Sequence, residues 1–359
     1  SALLLCITSQ EWTQALSLHR QMQEACTLTT HFTFLPLLKA CSKLKDLKTG
    51  RLLHAQINGL RYGHRLLVCR SLVGMYAKCC ALPEARDSFF ELPERNVVSW
   101  NTMISGYAEY GPRTHALQCF EQMKLEGFSP NDATIASLFK VCGALETYGK
   151  GREIHMMLLM RKNKNNKNDD GCGADEDGLC HDDSEIGLCV GNALIGMYSR
   201  RGGSCEAARV VFDGLVDRDV VSWNALIGNY ANYGSYEEAL SCLEQMQVQC
   251  IPFNAITFVS IFKVLGIITA VEKIHEMHGM AIMQGFERES FVGSALVDAY
   301  ANCGSLTEAH QVFDHIRVRD LVSWTALISG YAYHGESEAV FEVLDRMKDE
   351  NINPDQITF

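Results

Sequence analysis

Val97-Val98-Ser99-Trp100-Asn101 is answered by Val220-Val221-Ser222-Trp223-Asn224 and again by Leu321-Val322-Ser323-Trp324-Thr325. The tryptophans lie 123 and 101 residues apart. A second phrase, Met75-Tyr76-Ala77-Lys78-Cys79, returns as Met197-Tyr198-Ser199-Arg200-Arg201 and Ala299-Tyr300-Ala301-Asn302-Cys303. A third runs Leu52-Leu53-His54, Glu153-Ile154-His155 and Lys273-Ile274-His275, with histidine spacings of 101 and 120. One cycle of 101 residues therefore repeats, lengthened once by about twenty.

The cycle divides into units of 35, 35 and 31 residues, each reading as two amphipathic helices. Within 97–131, Trp100, Ile104 and Tyr107 mark one face of the first helix, and Gly111-Pro112 breaks it. Ala116, Leu117, Phe120 and Met123 mark the second, which ends near Gly127 and Pro130. Ala239, Leu240, Leu243 and Met246 repeat that face. Phe341, Leu344 and Met347 do so with Val340 in place of the small residue, which predicts looser packing there. No pair of helices buries its apolar face alone. Stacked neighbours do, so the expected product is a superhelical solenoid rather than two globules.

Bulk properties narrow the function. The 359 residues are 47% hydrophobic, yet no apolar run reaches the length of a membrane span. Fifteen cysteines without framework spacing suggest free thiols in a reducing compartment. The net charge is −11, but Lys164 and Lys167 face eight acidic residues between Asn163 and Glu185, which leaves −5 for the rest. A broad basic surface is excluded. A nucleic acid would have to be held by base contacts and a narrow stripe of lysine and arginine.

Metal and catalytic chemistry find little support. Cys172, Cys180, His181 and Cys189 lack the close pairs of a zinc site. Their Asn-, Asp- and Gly-rich surroundings predict a disordered acidic insert near 162–186. His334-Gly335-Glu336 matches half of a zinc deaminase signature, but no cysteine follows Cys303. Gly143 through Gly149-Lys150-Gly151 is one residue too long for a phosphate loop and lacks its Ser or Thr. No catalytic residue, metal or cofactor is expected.

The Val-Val-Ser-Trp-Asn and Met-Tyr-Ala-Lys-Cys strings resemble the pentatricopeptide repeat family, and the 35, 35 and 31 lengths resemble its plant subclass of P, L and S motifs. That resemblance implies an all-α fold, a right-handed superhelical α-solenoid of about ten helix–turn–helix repeats. The units run 31–65 (L), 66–96 (S), 97–131 (P), 132–187 (L, with the insert), 188–219 (S), 220–254 (P), 255–289 (L), 290–320 (S) and 321–355 (P). Residues 1–30 resemble a partial P unit, and 356–359 begin another L unit, so a fragment of a longer protein is expected, with no targeting peptide in the segment itself.

The resemblance also implies single-stranded organellar RNA as partner, one nucleotide per repeat, read by the fifth and last residues of each unit. Carried over, the pairs are Asn101 with Asn131, Asn192 with Asp219, Asn224 with Asn254, Ser294 with Asp320, and Thr325 with Asp355. Under the family's rule the Asn–Asn pairs favour cytosine, Asn–Asp uracil, and Ser–Asp and Thr–Asp guanine. Arg70 with Asn96 departs from the common combinations and receives no base. The L units bearing Ala136 and Val259 offer no polar fifth residue and space bases rather than read them. From Asn101 onward the footprint is C-n-U-C-n-G-G. At ~1–2 kcal/mol per pair, five pairs would supply roughly 5–10 kcal/mol of discrimination. The implied role is the recognition part of a C-to-U RNA-editing factor of mitochondrion or chloroplast, with editing or processing proteins as further partners and no membrane. RNA processing, splicing or stabilisation is the related alternative, and a protein-binding helical scaffold the distant one.

Overall fold

The computed structural model describes residues 11–24, 31–60, 66–165, 187–200, 203–350 and 352–355, and among these it has 19 α-helices, one 3-10 turn and no strand. The chain separates after Met197 into two compact units. Cys172, Cys180 and His181 of the acidic insert lie outside the described residues.

In the first unit α1 (Trp12–Glu24) precedes four hairpins. These are α2 (His31–Leu44) with α3 (Leu47–Gly59), α4 (Leu66–Lys78) with α5 (Leu82–Phe90), α6 (Val97–Tyr110) with α7 (Arg113–Leu125), and α8 (Asp132–Ala144) with α9 (Tyr148–Asn165). Helix α10 (Leu188–Tyr198) ends the unit. The second unit holds α11 (Cys205–Asp213) and four further hairpins. They are α12 (Val220–Tyr233) with α13 (Tyr236–Val248), α14 (Ala255–Ile267) with α15 (Val271–Met283), α16 (Ser290–Asn302) with α17 (Leu306–His315), and α18 (Leu321–Tyr333) with α19 (Ser337–Asp349).

Polar caps set where the first helices start. The side chains of Asn96, Asn131, Asp219, Asn254 and Asp320 each accept the backbone N–H three residues on, from Ser99, Thr134, Ser222, Thr257 and Ser323. At the three asparagines the Ser or Thr hydroxyl accepts the cap's own N–H, closing a reciprocal box. Every described hairpin turn except that of α6 and α7, where Gly111 is extended, contains a left-handed residue. Gly234 and Gly304 supply it at φ of 78°, but after α2, α8 and α14 the position is held by Lys45, Glu146 and Thr269.

Within each unit the first helices pack in succession, α2 on α4, α6 and α8 in turn, and α12 on α14, α16 and α18 in turn. At Gly330 a Cβ would lie 2.5 Å from that of Ala301, so α18 and α16 approach more closely there than larger residues would allow. The recurring tryptophans fill the layer between helices. Trp100, Trp223 and Trp324 are fully buried and each meets the preceding hairpin's Phe89, Phe212 or Phe313 edge to face at 4.7 Å. Arg95, Arg218 and Arg319 cover the same phenylalanine rings. Where thiols are deeply packed, burial raises them, Cys41 to about 12 and Cys119 and Cys242 to about 11. No helix among the described residues is long and apolar enough to cross a membrane.

Two expectations shift in detail. Ala116 and Ala239 are fully buried and Val340 is half-buried, but Phe341 is exposed and Val343 joins Met347 in the core instead. No described helix follows α19 to cover Phe341. The histidine phase is also interrupted. His54 Nδ1 lies 2.8 Å from the Tyr76 hydroxyl, whereas Tyr300 is bonded by His278 at 3.1 Å and only touched by the ring of His275.

Candidate nucleic-acid interface

The fifth residue of each first helix and the cap of the next hairpin meet in the same way in both units. In the first, Asn101 Nδ2 donates to Asn131 Oδ1 at 2.8 Å. Asn131 Oδ1 also accepts the Thr134 backbone N–H at 3.1 Å, and the Thr134 hydroxyl lies against Asn101 Oδ1. In the second unit, Asn224 Nδ2 donates to Asn254 Oδ1 at 3.0 Å. Asn254 Oδ1 accepts the Thr257 N–H at 3.0 Å, and the Thr257 hydroxyl donates to Asn224 Oδ1 at 2.8 Å.

This network orients the amides. A backbone N–H only donates, so Asn131 and Asn254 must turn their oxygens toward the helix they cap and their NH2 groups away from it. Both oxygens of each pair are engaged. What each pair has left is N–H donors.

The aspartates leave the opposite character. Asp320 Oδ1 accepts the Ser323 N–H at 2.9 Å, and Asp219 Oδ1 accepts that of Ser222 at 2.8 Å. The second carboxylate oxygen remains an acceptor. Ser294 donates its hydroxyl to the Ser290 carbonyl at 2.7 Å and lies 3.3 Å from Asp320 Oδ1. Thr325 likewise donates to the Leu321 carbonyl at 2.8 Å, and Asp355 is half-buried beyond α19.

The structure thus brings together Asn101 with Asn131, Asn224 with Asn254, and Ser294 with Asp320. Arg70 and Asn96 form no hydrogen bond with each other. Asn96 is engaged with Ser99, and Arg70 Nε is buried without an acceptor among the described residues. Asn192, the fifth residue of α10, is half-buried in the first unit, and Asp219 belongs to the second. Burial is deeper than loose surface side chains would show, 9% exposure for Asn224 and 4% for Ser294. Asn131 is exposed and Asn254 half-buried, so the caps form the outer member of each pair.

Two sets of residues go beyond the sequence reading. Thr134 and Thr257 tie both members of the Asn–Asn pairs; their spacing from Asn131 and Asn254 signals the cap box but not the reach to Asn101 and Asn224. The second residues of the first helices form the other set. Leu67, Val98, Val221, Ile256, Phe291 and Val322 are each at least half exposed, three residues before the fifth position and therefore beside it on the helix. Apolar side chains left in water beside these six fifth positions offer contacts suited to the faces of unstacked bases.

Other chemistry is already committed. His334 Nε2 lies 2.9 Å from the Ala301 carbonyl in the α18–α19 turn, and Lys150 is ion-paired with Glu121 and Glu153. Among the described residues no group of three His, Cys, Asp or Glu side chains is placed to hold a metal.

Comparison with known proteins agrees with the helical fold. A family model described as the PPR repeat family matches residues 95–144, 218–266 and 319–359, and a PPR repeat model matches 294–321. A mitochondrial pentatricopeptide repeat-containing protein of Arabidopsis thaliana is 33% identical over 90% of this chain and 48% of its own length. A chloroplastic one from the same plant is 30% identical over 96% of this chain and 40% of its own length. The chain spans about half the length of the curated relatives it matches. The fold is that of the maize protein PPR10, at 19% identity and a TM-score of 0.57 over 99% of this chain and 54% of that one. PPR10 in complex with an 18-nt psaJ RNA element gives a TM-score of 0.65 at 14% identity, over 98% of this chain and 55% of that one.

Proposed function

The chain carries pentatricopeptide repeats, and we propose that it grips single-stranded RNA with one base met per hairpin. The observation that carries this reading is the recurring contact between fifth residue and cap, at 2.8 Å in Asn101–Asn131 and 3.0 Å in Asn224–Asn254, beside an exposed apolar residue. Pairs that keep only N–H donors suit the N3 and O2 acceptors of cytosine. A cap carboxylate, which offers acceptors alone, suits the N–H groups of uracil or guanine. This donor and acceptor sorting supports the order C-n-U-C-n-G-G from Asn101 onward. Each unit contributes two helices and the cap of the hairpin that follows.

The alternation of 35, 35 and 31 residues supports the P, L and S subclass, and with it recognition for C-to-U RNA editing. The mitochondrial and chloroplastic relatives support an organelle as the place of action. On this reading the segment supplies recognition and the deamination chemistry lies outside it. A gel-shift series with RNAs differing at one base tests the proposal. Asn224→Thr moves the preference at its base from cytosine toward adenine, and an unchanged ranking removes the one-base-per-hairpin reading.

A further inference from the structure

We infer that the hairpins lacking a polar fifth residue hold the phosphodiester backbone of the RNA, through Lys39, Lys140 and Lys263. The inference rests on the RNA-binding reading and gives a task to the units that read no base. Their fifth residues are Leu35, Ala136 and Val259, and each lysine stands four residues further along the same first helix. That spacing puts the ammonium group on the face that carries the base-reading side chains in the other hairpins.

All three lysines are exposed, and none is in an ion pair among the described residues. Lys39 Nζ lies 5.9 Å from the Trp12 ring centroid, and Lys263 Nζ lies 3.4 Å from Asn232 Oδ1. Asp298 on α16 is near enough to feel Lys263, so Lys140 is the least encumbered. The first helices carry six basic side chains against three acidic ones. A compact ammonium with no carboxylate partner is a point-charge donor for a phosphate oxygen. Contacts of that kind fix register without reading sequence. An array that skips a base needs such an anchor, because the strand must still advance by one nucleotide.

The test is a salt series of fluorescence-anisotropy titrations with a labelled single-stranded RNA carrying C-n-U-C-n-G-G. The variant Lys39→Gln/Lys140→Gln/Lys263→Gln is compared with the unaltered chain. Its Lys→Arg counterpart keeps the charge. A charge-matched control is Lys124→Gln/Lys273→Gln/Lys348→Gln, whose lysines pair with acids on their own second helices. Each lost phosphate contact lowers the slope of log affinity against log salt by ~0.7, so the first variant flattens it by about 2. The arginine variant and the control keep the original slope, and the base ranking is unmoved. An unaltered slope in the glutamine variant, or an equal flattening in the control, overturns the inference. If the unaltered chain binds no RNA, the functional reading falls with it, and that outcome shows in the reference arm alone.

Discussion

Thr257 and Asn224, 33 residues apart in sequence, are joined by a 2.8 Å hydrogen bond inside the core. The same threonine accepts the backbone N–H of Asn254 at 3.2 Å, so one buried hydroxyl ties the side chain of Asn224 to the backbone of Asn254. Thr257→Val removes the hydroxyl and keeps the shape. It strands Asn224 Oδ1 and the Asn254 N–H, and should cost about 1–2 kcal/mol in urea unfolding. Base discrimination at that pair should blur with it, while Thr257→Ser retains most of both. A valine variant with unaltered stability would contradict this account of the pair.

Thr269 sits in the α14–α15 turn at φ 54°, a left-handed conformation that β-branched residues resist. Its side chain is exposed and fills no core space. Thr269→Gly should therefore stabilise the chain, by ~1 kcal/mol, against the usual cost of introducing glycine. Thermal unfolding checks the sign. A lowered melting temperature would show that the turn is not strained.

Acid should weaken the fold before Asp46, Glu84 and Glu121 titrate. Burial pushes His19, His54, His155 and His278 below the ordinary imidazole value. The unfolded chain then binds protons first, at about pH 6.5, while the folded chain still resists them. The neutral imidazoles' contribution is complete above that pH and is lost as pH falls through the lower folded values. Hydrogen bonds from Thr49, from Arg51 and from Lys124 hold the carboxyls of Asp46, Glu84 and Glu121 low, so these remain charged throughout that window. Melting temperature followed by circular dichroism should drop as pH falls below about 6.5, and His54→Gln/His278→Gln should flatten the drop. A pH-independent melting temperature would contradict it.

The fold was legible because its punctuation is strong. Trp100, Trp223 and Trp324 recur at one helical phase, and Asn or Asp stands just before each helix that carries them. The same caps and fifth residues gave six pairs, among them the three that the structure joins, Asn101 with Asn131, Asn224 with Asn254 and Ser294 with Asp320. Periodicity gave no such guidance for Val97 and Val98 or Val220 and Val221. Two adjacent apolar residues leave open which faces water, and it is Val98 and Val221 that do. The aim of a hydroxyl is likewise invisible in composition, so Thr134 and Thr257 read as ordinary helix residues. His278 displaced His275 from Tyr300 because either, one turn apart, reaches the same phenol. Phe341 looked like core because its sequence phase matches Leu117 and Leu240, themselves only half-buried.

Replacing one amide by a carboxylate probes the pairs most directly. Asn254→Asp keeps a good helix cap but exchanges the outward NH2 for an acceptor. Binding to RNAs varied at two positions should then move from cytosine to uracil at the base met by Asn224, with cytosine retained at the base met by Asn101. If the ranking stays the same at the first position, or both positions shift together, the hairpins do not read bases one by one.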